Sequence, residues 1–381
     1  MRESRSREAH IKAQVLYAPG DLRYEEIAEP VIRENEVLLR VTHCGICGSD
    51  VPRVYQTGMY HMPCIPGHEF AGTVEACGAA VDAAWQGKCA AVFPLLPCMA
   101  CDSCKKGIYE TCAKYDYLGS RSDGAFSEYV RVPAANLIAI PDGVSPEEAA
   151  MSEPMAVAVH AMRMSGITDK NKRNNDTPLA VFGAGTIGML LVMFLLEAGQ
   201  ENVFVIGNKD FQKERCIAFG LKETHFCDIR HAEDVPAWLR AHTNGRGAGV
   251  CFDCVGTNPV ITQCVDAAAP GGTVILVGNP ASDIGLAKAN YWKILRRQLT
   301  LKGIWNSSFA VGTHRPEGGS AAVADDWSYV MERLAAHRIR PAELITHRMP
   351  LSELDRGLRI MRDKTEPYGK VMVTVTRYGS V

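Results

Sequence analysis

Cys98-x2-Cys101-x2-Cys104-x7-Cys112 places four thiols within fifteen residues. Thiolates at that density surround one ion tetrahedrally from a single loop. With all four positions taken, the ion is a structural zinc. A second set is dispersed over His43-Cys44-Gly45-Ile46-Cys47-Gly48-Ser49-Asp50, Gly67-His68-Glu69 and Ser152-Glu153-Pro154. These segments offer thiolate, imidazole and carboxylate, the donors of a zinc that keeps one position open to water or substrate. A zinc ribbon for nucleic acid is the rival reading of the four-cysteine loop. Lys105, Lys106 and Lys114 are too few to make the basic patch it needs.

Gly183-Ala-Gly185-Thr186-Ile187-Gly188 directly follows the apolar run PLAVF and opens an apolar helical segment. In that context the three glycines serve a tight turn, close approach of backbone to pyrophosphate, and close helix–sheet packing. The helix N-terminus then offers amide donors and the positive end of its dipole to the phosphates. NAD-binding units place an acid at the end of the second strand to hold the adenosine ribose. In NVFVIGNKD that position falls on Gly207, followed by Asn208 and Lys209. Loss of the acid removes repulsion of a 2′-phosphate and a nearby cation attracts it, which favours NADP over NAD. The competing reading gives the acid's role to Asp210 after a small register shift.

The elements that must position these groups change character along the chain. From about Lys12 to Pro141, short β segments are broken by Gly and Pro: AQVLYA, EVLLRVTHC, EFAGTVEAC, AAVFPL, FSEYVRV and LIAI. Ser145-Pro-Glu-Glu then starts a helix through SPEEAAMSEPMAVAVHAMRM. A polar stretch, Thr168 to Pro178, reads as an exposed connection. After it strand and helix alternate: LAVFG, TIGMLLVMFLLEAG, NVFVIG, FQKERCIAFG, GVCFDCVG and GTVILVG. That alternation predicts an α/β, doubly wound parallel sheet. LTLKGIW, a helix around DDWSYVMERLAAH and the strand KVMVTVT complete the chain.

The length of 381 residues predicts two domains, and 47% hydrophobic with 22% charged residues is a globular composition. A net charge of −2 gives no field to recruit nucleic acid or an anionic membrane. Leu179 to Gly199 is apolar for about a bilayer span, but its three spaced glycines have their own explanation in a nucleotide loop. The opening MRESRSREAH lacks an apolar core behind its charges and reads as a loose tail. A cytoplasmic location is expected, and with it fourteen cysteines point to metal rather than disulfides.

CGICGSD, PGHEFAGTVEACG, the four-cysteine loop, SEPMAVAVHA and GAGTIG, in this order and spacing, resemble the zinc-containing medium-chain alcohol and polyol dehydrogenases over nearly the whole chain. The resemblance implies a GroES-like β-rich catalytic domain over 12–160, a Rossmann domain over 161–300 and a C-terminal return to the first domain over 301–381. By matching motifs it implies that Cys47 and His68 are catalytic zinc ligands. Glu69 would bind or exchange at that zinc, and Glu153 would take the ligand position that polyol enzymes give to glutamate. Ser49 would pass the substrate proton outward. Relatives assemble as dimers or tetramers, which implies a homodimer or homotetramer.

Two departures stand out. Many relatives carry a proton-relaying histidine shortly after CGSD, where this chain has Asp50-Val51-Pro52; the relay is then expected to run through ribose hydroxyls and water. Polyol-phosphate relatives carry the acid missing at Gly207 and use NAD. The expected activity is hydride transfer between a secondary alcohol of a polyol or sugar-alcohol phosphate and NAD(P). Arg53 and Arg121 are the candidate cations for a phosphorylated substrate. The alternatives are an unphosphorylated polyol or L-threonine as substrate and, from another class, a non-catalytic zinc and nucleotide binding protein. The full Cys47, His68, Glu69 and Glu153 set speaks against that last reading.

Overall fold

The structure, a computed structural model, describes residues 9–167, 176–311 and 325–375. The opening tail and most of the polar connection at 168–178 lie outside the described residues. The chain forms two compact units. One runs to Glu153 and takes up Ser308–Ala336 and the chain from Ile345 onward; the other comprises Pro154–Ser307 and His337–Leu344. These divisions fall at 153, 307, 336 and 344, against the expected boundaries at 160 and 300.

The first unit is β-rich. A seven-stranded sheet is ordered Ile345–Pro350, Lys370–Thr374, Glu36–Gly45, Glu69–Cys77, Cys89–Val92, Leu137–Ala139, with Tyr129–Pro133 also paired to Glu36–Gly45. A separate antiparallel hairpin joins His10–Ala18 to Asp21–Ala28. The second hairpin strand gives no sequence signal because its charged DLRYEEIA lacks an apolar face. Leu16, Leu39, Phe70, Phe126 and Val373 fill the core between these segments. Two antiparallel registers matter for chemistry: Gly45 opposes Glu69 on one side and Met372 on the other. The predicted helix start at Ser145 is a complete capping box, with the Ser145 side chain accepting from Glu148 N–H and the Glu148 carboxylate accepting from Ser145 N–H. The helix it opens stops at Ala150, and a new one begins at Ser152 and runs to Met164.

The second unit holds a six-stranded sheet whose pairings are all parallel. Its order is Phe226–Asp228, Val203–Gly207, Leu179–Phe182, Ala248–Asp253, Ala268–Leu276, Thr300–Gly303. Numbered within the unit, that is 3-2-1-4-5-6, the Rossmann order, with its crevice between the first and fourth strands. The apolar run from Leu179 to Gly199 divides into a four-residue strand, a glycine turn and the helix Thr186–Glu197. Among the described residues, no helix is long and apolar enough to cross a membrane.

Candidate active site and dinucleotide loop

The four cysteines converge. Sγ–Sγ distances are 3.5 Å for Cys101–Cys104 and 3.9 Å for both Cys98–Cys104 and Cys101–Cys112. A tetrahedron with metal–sulfur bonds of about 2.3 Å has edges of about 3.8 Å, so the four thiols fit a single zinc. Backbone N–H groups prepare the site. Those of Cys104 and Ala113 pull the Cys101 thiol down to about 6, and that of Cys98 donates to Cys112 Sγ at 3.3 Å. Burial pushes Cys104 the other way, to about 12. Binding the metal must therefore displace its proton. All fourteen cysteines are free thiols.

The dispersed set also meets. Cys47 Sγ, a His68 nitrogen and a Glu69 carboxylate oxygen lie within 4.8 Å of one another. Cys47 and Ser49 follow the strand that ends at Gly45, and Glu69 begins the strand opposite. Ser49 Oγ donates to Cys47 Sγ at 3.2 Å. The three donors are a thiolate, an imidazole and a carboxylate, the chemistry of a zinc with one position open. Glu153 stands beside this trio but turns its carboxylate to Tyr117, whose hydroxyl donates to Oε1 at 3.0 Å. Burial pushes the Glu153 carboxyl up to about 7, against the pull of His68.

Three supporting residues receive no role from sequence reasoning. Asp50 is fully buried; Oδ2 accepts from Cys47 N–H at 2.9 Å, while Oδ1 faces His68 Nδ1 at 3.4 Å. Neither Oδ1 nor Nδ1 has another hydrogen-bond partner. Burial opposes charge on His68, yet Asp50 and then Cys47 hold it well above its ordinary value. With Nδ1 facing the acid, Nε2 is the nitrogen left for a metal. Lys370, on the C-terminal strand, forms a buried ion pair with Glu69 and donates to Ile46 O at 2.9 Å. A side chain at Gly45 would collide with both members of that pair, its Cβ meeting Glu69 Oε2 at 2.5 Å and Lys370 Cε at 2.6 Å. Tyr117, the partner of Glu153, is the third. Asp50 could have been found in the CGSD motif as an acid adjoining a ligand. Lys370 and Tyr117 carry no such signal.

The arginines part company. Arg53 lies one helical turn from Ser49, donating from Nη1 to Ser49 Oγ at 3.0 Å, and comes within 3.9 Å of Asp50. Arg121 stacks on the rings of Tyr60 and Tyr115.

In the second unit the glycine loop assigns separate physical roles. Gly183 has φ of +94°, and a Cβ there would meet Val255 at 2.3 Å. A Cβ on Gly188 would lie 1.9 Å from Gly183 O, so helix and strand end pack there without a side chain. Gly185 caps the helix that contains Thr186 and Ile187, and it faces open space. At the end of the second strand, a Gly207 Cβ would meet Phe226 at 2.6 Å and Gln212 Oε1 at 2.9 Å. Asn208 N–H donates to that same Gln212 oxygen, and Lys209 caps the helix Asp210–Ala218. Asp210 pairs with Arg230, which also grips Asp228.

Two zinc-fitting donor sets and a Rossmann nucleotide fold define a zinc-containing, NAD(P)-dependent oxidoreductase, and the chain belongs to the medium-chain alcohol and polyol dehydrogenase family. The profile of the "Alcohol dehydrogenase GroES-like domain" matches residues 33–142, and that of "Zinc-binding dehydrogenase" matches 186–318. Galactitol 1-phosphate 5-dehydrogenase of Escherichia coli K12 is 31% identical over 365 residues, covering 95% of this chain and 99% of the relative. The crystal structure of galactitol-1-phosphate dehydrogenase from E. coli superposes with a TM-score of 0.84 at 30% identity, covering 95% of this chain and 99% of that one. A zinc-binding dehydrogenase of Sinorhizobium meliloti 1021 bound to NADP gives 0.82 at 25% identity, covering 96% and 99%.

Proposed function

We propose that this enzyme transfers a hydride between a secondary alcohol of a polyol or sugar-alcohol phosphate and NADP. The observation that carries this reading is the three-donor cluster of Cys47, His68 and Glu69 with the Ser49 hydroxyl 3.2 Å from the thiol. Similarity to galactitol 1-phosphate 5-dehydrogenase over 95% of the chain supports the substrate class. The second metal set, Cys98, Cys101, Cys104 and Cys112, serves the fold.

When bound, the zinc supplies Lewis acidity that lowers the pKa of an alcohol hydroxyl, and the nicotinamide accepts the hydride. The chain's own residues do the rest. Cys47 and His68 would hold the ion, with Glu69 or Glu153 as the third donor. Asp50 orients His68, and Ser49 takes up the substrate hydroxyl's proton. Arg53 fixes the Ser49 oxygen but, being permanently protonated, does not carry the proton onward; water provides the exit. Gly183, Gly185, Thr186, Ile187 and Gly188 receive the pyrophosphate.

Preference for NADP rests on the end of the second strand. Gly207 carries no acidic side chain and a Cβ there would crowd Phe226 and Gln212, while Arg230 pairs with both Asp210 and Asp228. Asn208 and Lys209 present a neutral and a cationic side chain where an acid would repel a 2′-phosphate. We assign the active species as a homodimer or homotetramer, which light scattering coupled to size exclusion would test.

Initial rates of nicotinamide reduction with galactitol 1-phosphate and with galactitol, each under NAD⁺ and NADP⁺, test the whole reading. Preference for the phosphate ester with NADP⁺ is expected. Equal rates on both polyols would remove the phosphate specificity, and faster turnover with NAD⁺ would remove the cofactor assignment.

A further inference from the structure

Arg121 is held in an unusual way for a surface-loop arginine. Its guanidinium carbon lies 3.8 Å from the ring centroid of Tyr60 and 4.7 Å from that of Tyr115. The two rings occupy guanidinium faces, which leaves the in-plane N–H fork as its hydrogen-bonding edge. Nε is buried without a hydrogen-bond partner. Among the described residues, no carboxylate pairs with Arg121. The two acids of the same loop are turned onto backbone: Asp116 accepts from Tyr117 N–H at 2.7 Å and Asp123 from Ile65 N–H at 3.0 Å.

The clamp is tied to the metal cluster through one residue. The backbone N–H groups of Ser120, Arg121 and Ser122 all donate to Tyr117 O, at 3.2, 2.9 and 3.2 Å. The ring of Tyr117 meets the edge of His68 at 5.7 Å and that of Tyr115 at 6.3 Å, and its hydroxyl holds Glu153. Tyr117 thus touches the catalytic donors on one side and fixes the turn that carries Arg121 on the other.

A partly desolvated guanidinium with an unpaired fork is costly to keep unless an anion completes it. Two oxygens of a carboxylate or of a phosphate fit such a fork in bidentate fashion. We propose that Arg121, clamped between Tyr60 and Tyr115, recognises a terminal oxyanion on the polyol substrate, either a phosphate monoester or a carboxylate. This rests on the polyol dehydrogenase reading above and names the group that selects within that class. Arg53 differs in having polar partners already, Ser49 at 3.0 Å and Asp50 at 3.9 Å.

The test uses full-length, zinc-loaded enzyme with NADP⁺ and three substrates: galactitol, galactitol 1-phosphate and galactonate. The wild type is expected to prefer one of the two anions, which identifies the source of the oxyanion. Arg121→Gln is expected to lower that preference by about 30- to 150-fold, the worth of two to three kcal/mol of charged hydrogen bonding. The loss should appear in KM more than in kcat. Arg121→Lys should recover only part of it, because an ammonium supplies charge but no fork. Tyr60→Ala should give a smaller loss of the same kind and guards against a folding defect in the arginine variants. Equal losses on all three substrates in Arg121→Gln would make the residue structural and overturn the proposal, as would a wild type indifferent to both anions. Absence of turnover on all three substrates would instead remove the polyol reading. Calorimetric binding of galactitol 1-phosphate and galactonate then decides the clamp alone: weaker binding to Arg121→Gln upholds it, and binding unchanged or undetectable in both proteins overturns it.

Discussion

One loop of fifteen residues supplies all four thiols of the first metal cluster, whereas the second draws Cys47, His68 and Glu69 from a strand end and from the start of another strand. The first has backbone N–H groups as its main polar support. The second is backed by side chains: Asp50 behind His68, Lys370 on Glu69, and Tyr117 holding Glu153 aside. Four equivalent donors from a short loop saturate an ion, which suits a site that only braces the fold. Mixed donors from separate strands leave a position open, but each must be aimed by a partner of its own. The cost of an open site is this additional shell of buried polar residues.

Breaking the two clusters should therefore have different consequences. His68→Ala is expected to lower kcat/KM by about 10³-fold or more, since several kcal/mol of Lewis-acid stabilisation are lost with the ion. Metal analysis should then find one zinc per chain instead of two; two zincs with unchanged rates would overturn the ligand assignment. Lys370→Met leaves Glu69 buried without its cation. A loss of about 3–5 kcal/mol in stability is expected by urea unfolding of the zinc-free protein. Cys104→Ser should weaken zinc at the loop by more than the 10–100-fold typical of outer-shell changes. Stability should fall more than intrinsic activity per folded molecule, and a chelator titration would resolve the two zincs.

Smaller effects sharpen the comparison further. Tyr117→Phe removes the donor to a buried carboxylate, at a cost of about 1–3 kcal/mol. The same variant frees Glu153 to turn toward the cluster, so X-ray absorption at zinc should register added oxygen ligation. In the zinc-free protein, burial holds Glu153 at about 7, above an ordinary carboxyl. Its contribution to stability is then full below the ordinary carboxylate range and is lost as pH rises through about 7. Urea midpoints measured from pH 5 to 8 read that slope, and Glu153→Gln should flatten it.

Legibility in the sequence followed the distance between cooperating residues. The Cys98–Cys112 loop and the Gly183–Gly188 turn were both readable because their donors and glycines are near neighbours in the chain. Parallel strands in the second unit were equally plain, as buried runs such as VFVIG alternate with helical stretches. The hairpin strand Asp21–Ala28 was not, since none of its residues is fully buried and its register comes from its partner. Arg53 and Arg121 looked alike in sequence, two arginines in polar loops. Their neighbours separate them: one donates to Ser49, the other lies between two tyrosines.

The sequence by itself determined the metal and nucleotide chemistry, because local spacing decides whether thiols can share an ion and whether a backbone can approach a phosphate. Only the tertiary structure decided which residues aim that chemistry. Lys370 reaches Glu69 across 301 residues because the C-terminal strand pairs with Glu36–Gly45, and Gly45 leaves room for the ion pair. Such pairing is set by the burial of whole strands and their register, a collective property of the packed sheet that no short segment carries alone.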